Sequence, residues 1–201
     1  MKRSKCFWCL LMVLLVVVAC QNQQNTSGAS KSVNLEGFTV EKLKGAPNVN
    51  YVYKRDAENR LLEEGFMQNG QKTGVWTTYD PEKGTVLSLT SYLAGQLNGR
   101  SLTLDNNNRL EAQQGYKNGQ LHGYAAKYKF SRTLEEFNYE NGQLEGTYKK
   151  YFDSANQVQQ EANYKAGKLD GAVKYYNKDG EMTLEYQYKN GEKISGGILK
   201  E

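Results

Sequence analysis

NGQLHG, Asn118–Gly123, is nearly what the chain writes as AGQLNG at Ala94–Gly99, NGQLEG at Asn141–Gly146 and AGKLDG at Ala166–Gly171. The second glycine of each copy falls at Gly74, Gly99, Gly123, Gly146 and Gly171, at spacings of 25, 24, 23 and 25 residues. GEKISG, Gly191–Gly196, closes the series with one extra residue. Tandem self-similarity at a period of 20–50 residues is the signature of a repeat array. The stretch from Asn50 through Tyr51, Tyr53, Leu61 and Met67 reads as a worn leading copy.

Each interval divides into two strands. After the repeat glycine comes a short β-prone run: VWTTY from Val75, YAAKYKF from Tyr124, TYKKYF from Thr147, AVKYY from Ala172. A cluster of turn formers follows, such as Asp105-Asn106-Asn107-Asn108 or Asn177-Lys178-Asp179-Gly180. The second strand then alternates: Leu110, Ala112, Gln114 and Tyr116 on one side, Glu111 and Gln113 on the other. Alternation at period two means one packed face and one wet face. The copy that ends in Tyr139 breaks this count by one where the interval shrinks to 23, which a missing bulge or a shorter turn would explain. The two glycines of each copy are expected to reverse the chain without a Cβ clash at positive φ. The fold expected is therefore all-β: one elongated antiparallel sheet of about twelve strands, roughly 55–60 Å long. A lone hairpin is marginal in water, so each unit must lean on its neighbour.

The pattern Gly-x-x-x-Gly followed by an aromatic strand, as in GQLHGYAAKY, GQLEGTYKKY and GKLDGAVKYY, resembles the MORN repeat, in the divergent bacterial form found in secreted and lipoprotein chains and in some toxin-neutralising proteins. The resemblance covers roughly residues 50–197. It implies successive hairpins in a single sheet used to hold or align other molecules. Two departures stand out: tryptophan, common after the repeat glycine in that family, survives only as Trp76, and the copy RSLTL after Gly99 has lost its aromatics.

The front of the chain gives the location. Lys2, Arg3 and Lys5 precede an apolar run from Cys6 to Ala19 with no acidic residue. That layout is a secretory signal, and the run falls short of the roughly 20 residues that a membrane-spanning helix needs. Val17-Val18-Ala19-Cys20 resembles the lipobox of bacterial lipoproteins, which implies cleavage before Cys20 and acylation of its thiol, palmitate among the chains. Several acyl chains make membrane attachment effectively permanent. Residues 1–19 are thus read as the signal peptide, 20–32 as the lipidated cysteine and a flexible linker, and 33–201 as the repeat domain. Gln21, rather than Asp, after the anchor implies the outer membrane, on its periplasmic face or at the surface.

With Cys6 and Cys9 in the removed segment and Cys20 acylated, the folded part has no thiol for disulfides or metal. Charge simplifies in the same way. Lys+Arg 26 against Asp+Glu 22 becomes 23 against 22 once Lys2, Arg3 and Lys5 leave, a net +1. Interleaved lysines and glutamates do not make the basic stripe of a nucleic-acid binder.

No convergent catalytic set, cofactor motif or metal cluster is expected. His122, the single histidine, shares its station with Thr73, Asn98, Glu145 and Asp170 and reads as a turn position. Glu111, Glu135, Glu161 and Glu185 read as a solvated face balanced by lysines. Most aromatics should be core, with a strip around Trp76, Tyr148 and Tyr175 facing a ligand. The function expected is a membrane-anchored, non-enzymatic scaffold for protein partners in the cell envelope. A carbohydrate-binding accessory lipoprotein and a toxin-neutralising repeat protein stand as alternatives.

Overall fold

A computed structural model describes residues 35–154 and 156–199. The signal peptide, Cys20 and the linker up to Ser32 fall outside the described residues. The elements are β1 (Phe38–Lys42), β2 (Val49–Arg55), β3 (Leu61–Gln68), β4 (Gln71–Tyr79), β5 (Val86–Leu93), β6 (Gln96–Leu104), β7 (Leu110–Lys117) and β8 (Gln120–Lys129), followed by β9 (Arg132–Glu140), β10 (Gln143–Leu144), β11 (Gly146–Tyr151), β12 (Val158–Lys165), β13 (Lys168–Tyr176), β14 (Met182–Lys189) and β15 (Glu192–Ile198). All pair antiparallel in one open sheet, and the order along it is the order in sequence. β10 pairs only with β9, because the strand it begins is interrupted at Glu145 before continuing as β11. Fourteen strands therefore lie in line, two more than expected, since β1 precedes the leading copy and β15 follows the last.

The repeated hexapeptide turns out to do two separate jobs. Reversal belongs to its first two residues. Asn118 and Gly119 have φ of 50° and 81°, and the other near-end turns, such as Ala166–Gly167 and Asn190–Gly191, repeat that pair of positive angles. This is the two-residue hairpin turn whose twist matches that of its strands. The second glycine does not reverse the chain, contrary to expectation. It lies inside a strand at positive φ, Gly123 at 78° for example, where the register of the preceding pairing shifts. It is a bulge residue, and each one faces a tyrosine of the following strand: Gly74 opposite Tyr92, Gly99 opposite Tyr116, Gly123 opposite Tyr139, Gly146 opposite Tyr164, Gly171 opposite Tyr188. Positive φ is what calls for glycine here, since a Cβ at Gly123 or Gly146 would meet nothing within 4 Å.

Within each hairpin the same tyrosine pairs with the conserved-in-repeat leucine: Tyr92 with Leu97, Tyr116 with Leu121, Tyr139 with Leu144, Tyr164 with Leu169. Neighbouring hairpins are then stitched at their tips. The N–H of Gly95 donates to Lys72 O at 2.9 Å, Gly119 to Leu97 O at 2.8 Å, Gly142 to Leu121 O at 2.8 Å, Gly167 to Leu144 O at 2.9 Å and Gly191 to Leu169 O at 2.8 Å. One hexapeptide thus supplies turn, stitch, apolar contact and bulge.

The far turns are more varied. Asp56, Asp80, Asp105 and Asn177 each cap their turn by accepting backbone N–H groups; Asp105 takes those of Asn107 and Arg109, both at 2.9 Å. The Arg109 N–H, then its guanidinium, hold the Asp105 carboxyl below its ordinary range. Among the described residues, two far turns lack such a cap. The one between β11 and β12 has Phe152 at the capping station and is closed by backbone alone. The other is shorter. β8 and β9 are joined by Phe130 and Ser131 alone, at φ of 50° and 65°. This shorter turn accounts for the 23-residue interval.

Burial is thin, as a single layer requires. Among the described residues, Val52, Met67 and Trp76 form the buried hydrophobic cluster, at the head of the sheet, with Leu35, Phe38 and Tyr92 packed against it. Elsewhere Ala125, Ala126, Ala162 and Val173 are buried.

Candidate functional site

Cross-strand register sorts the side chains onto two faces. Tyr92, Tyr116, Phe137, Tyr139, Tyr164 and Tyr188 share one, here the tyrosine face. Its rings meet along the sheet: Phe137 and Tyr139 at 6.1 Å between centroids, Phe137 and Tyr148 at 5.3 Å, Tyr148 and Tyr164 edge-on at 6.3 Å. Such offset and edge-to-face pairs add to the burial they accompany. At each end the repeat leucine gives way to lysine. Lys72 lies 3.7 Å from the Trp76 ring centroid and Lys193 3.7 Å from that of Tyr186, so the array ends in charged, water-compatible covers.

The three residues expected to form a ligand strip all lie on this face, but not as one exposed surface. Trp76 is 2% exposed: its ring fills the space over Gly65, and its Nε1 donates to Phe66 O at 2.9 Å. Tyr148 and Tyr175 are half-buried, on β11 and β13. Burial first, and then the charge of Glu135, push the Tyr148 hydroxyl up to about 12. Trp76 is thus a core anchor at one end, and the accessible aromatic surface runs through the tyrosine column that the hexapeptides build.

The opposite face is held by tyrosine–carboxylate clasps. Tyr79 donates to Glu64, Tyr151 to Glu136 at 2.7 Å and Tyr176 to Glu161 at 3.5 Å, and in every case the partners are fifteen residues apart. Tyr51 also donates to Glu64. At the corresponding stations of the third unit stand Leu89 and Leu104, so the copy that loses its tyrosine loses its carboxylate too. Farther along, Glu136, Lys149, Glu161, Lys174 and Glu185 stand directly opposite one another across five strands. Alternating signs at neighbouring stations favour this register and disfavour a slip.

The clasps predict an alkaline limit to stability. Burial first, then hydrogen bonding to Glu64 or Glu136, raise Tyr51, Tyr79 and Tyr151 to about 12. A folded-state pKa above the unfolded value of about 10 contributes stability that is complete below pH 10 and is lost as pH rises through 12. Urea midpoints followed with tyrosinate absorbance should stay level from pH 7 to 9 and fall between about 10 and 12. Ionisation of all tyrosines near pH 10 with no loss of stability would contradict the clasps.

Two sequence expectations change here. His122 is in β8, one residue before the bulge glycine, and is not in a turn; its Nδ1 is buried without a hydrogen-bond partner beside Gly115 and Tyr124. Of the four carboxylates read as one wet column, Glu161 and Glu185 share the carboxylate face and Glu111 sits exposed at a bulge. Glu135 stands on the tyrosine face, paired with Lys127 at 2.9 Å, because the shorter Phe130–Ser131 turn shifts its strand by one residue.

No family model matches the chain, and no curated protein matches it. Among solved structures the chain is similar, at 11% identity and a TM-score of 0.29, to the one titled "Crystal Structure of TarM", over 61% of this chain and 19% of that one.

Proposed function

We propose that this chain is a lipid-anchored, non-enzymatic scaffold of the bacterial cell envelope that holds a protein partner against its tyrosine face. The observation that carries this reading is the half-buried aromatic column, one tyrosine per repeat, on a single-layer sheet with no second layer among the described residues. A face of fourteen strands, each about 20 Å long at 4.8 Å spacing, offers on the order of 1,200 Å². A standard protein interface needs about 800 Å² per partner. Tyrosine is also the residue that combines large apolar contact with a polar tip, and it is enriched at interfaces. The anchor in this reading is acylated Cys20, and Gln21 directs it to the outer membrane.

Photo-crosslinking amino acids at Tyr116 and Tyr164 on one face, and at Lys149 and Lys174 on the other, test the surface in intact cells. A discrete protein adduct from the tyrosine-face positions alone is expected. No adduct from either face, or equal adducts from both, would contradict it, and an adduct with envelope polysaccharide would move the reading to the carbohydrate-binding alternative. Labelled palmitate should enter the wild-type chain and be absent from Cys20→Ala, which should also leave the membrane fraction; label retained in that variant would remove the anchor.

A further inference from the structure

The short turn at Phe130–Ser131 leaves a mark on the surface. The next far turn, between β11 and β12, is longer and is closed by the Phe152 N–H donating to Gln157 O at 3.0 Å. Where the short loop meets the long one there is an open cleft of about 860 Å³. Its charge is one-sided. Lys127 pairs with Glu135 at 2.9 Å and Lys129 with Asp153 at 2.6 Å, which engages both carboxylates of the lining. Arg132, Lys150 and Lys178 border the same cleft and form no ion pair among the described residues. Residues 35–199 hold 21 Lys and Arg against 21 Asp and Glu, so this surplus is a local feature of a neutral domain.

The backbone of the short turn is also unusual, with Phe130 and Ser131 at φ of 50° and 65°. The near-end tight turns use Asn or Ala followed by Gly at these positive-φ positions, whereas here the positions hold Phe and Ser. A bulky side chain is sterically disfavoured there. The Phe130 ring at this turn is 59% exposed, with Arg109 and Lys129 at 4.9 and 5.9 Å from its centroid. Backbone strain that surrounding structure maintains clusters at ligand sites.

We propose that this cleft binds an acidic oligosaccharide, with sugar rings against Phe130 and Phe152 and acid groups against Arg132, Lys150 and Lys178. The three cations lie on β9, on β11 and in the turn after β13, a span of about three strand spacings or roughly 15 Å. That reach suits a chain of several acidic residues and exceeds a single small anion. A peptide held by strand addition needs a free sheet edge. β9 to β13 are interior strands with both neighbours in place, so the cleft has no edge to offer. The site does not depend on the protein-partner reading of the tyrosine column.

Calorimetric titration of the full chain with tetragalacturonate, neutral maltotetraose and tetraglutamate tests the assignment. Tetragalacturonate should bind at least about tenfold tighter than either control, and R132Q/K150Q should weaken it by about tenfold or more, since charge-assisted contacts are the strong ones. Lys44→Gln, far along the sheet, should change nothing. The decisive variant is F130N/S131G, which restores favoured turn residues: its melting temperature should rise by about 2–4 °C while tetragalacturonate binding falls about fivefold or more. No tetragalacturonate binding, equal binding of tetraglutamate, or undiminished binding by F130N/S131G would each overturn the site.

Discussion

Trp76→Ala should cost about 3–5 kcal/mol, the range for removing a buried large aromatic. The ring is 2% exposed and is enclosed by Phe38 at 6.1 Å, Tyr92 at 6.4 Å and the Lys72 ammonium at 3.7 Å. Its removal also strips Phe66 O of the indole N–H. In a linear array each unit touches only its neighbours, so the loss should spread unevenly. Hydrogen exchange is expected to accelerate across β1 to β5 and to remain near wild-type across β12 to β14. A cost below about 1 kcal/mol, or uniform acceleration along the whole chain, would show that Trp76 does not anchor the head of the sheet.

Gly65→Val attacks the same anchor from below. A Cβ at Gly65 would stand 2.4 Å from Trp76 Cδ2 and 2.5 Å from Cε2, distances that no side chain tolerates without displacing the ring. Overpacking of this kind costs about 1–3 kcal/mol, and the upper end applies because the obstacle is a rigid ring. The sharper expectation concerns the pair. In the double variant G65V/W76A the valine occupies space that the indole has left, so the two costs should fall short of additivity by about 1 kcal/mol or more. Chemical denaturation of the four proteins of the cycle measures this. Strict additivity would mean that the two positions do not share a cavity.

What the sequence discloses is the period, the strand alternation and the tight turns, because each of these is written in nearest-neighbour chemistry. Asn-Gly and Ala-Gly announce themselves. The second glycine does not, since a bulge inside a strand and a turn both demand positive φ; the difference lies in pairing with a tyrosine such as Tyr116 across the sheet. Trp76 read as a ligand residue because the hole that receives it is made by Gly65, an absent side chain eleven residues earlier. A glycine inside the run Leu61–Gln68 was the available signal, as such glycines mark close approach. The clasps were legible in principle: Glu64 and Tyr79, Glu136 and Tyr151, Glu161 and Tyr176 recur at one fixed separation. The cleft was not, because it arises from unequal loop lengths in adjacent units, and the 23-residue interval is its only trace.

The repeats dock in sequence order into one open ribbon whose ends do not pair. Spin labels on cysteines replacing Thr39 in β1 and Ser195 in β15, with Cys6, Cys9 and Cys20 removed, report this in a single distance. Thirteen strand spacings of about 4.8 Å separate the two positions, so a pulsed electron-spin measurement should give a distribution centred near 60 Å, shortened somewhat by twist. A distance below about 35 Å would mean that the sheet curls or closes on itself, and the ribbon would have to be abandoned.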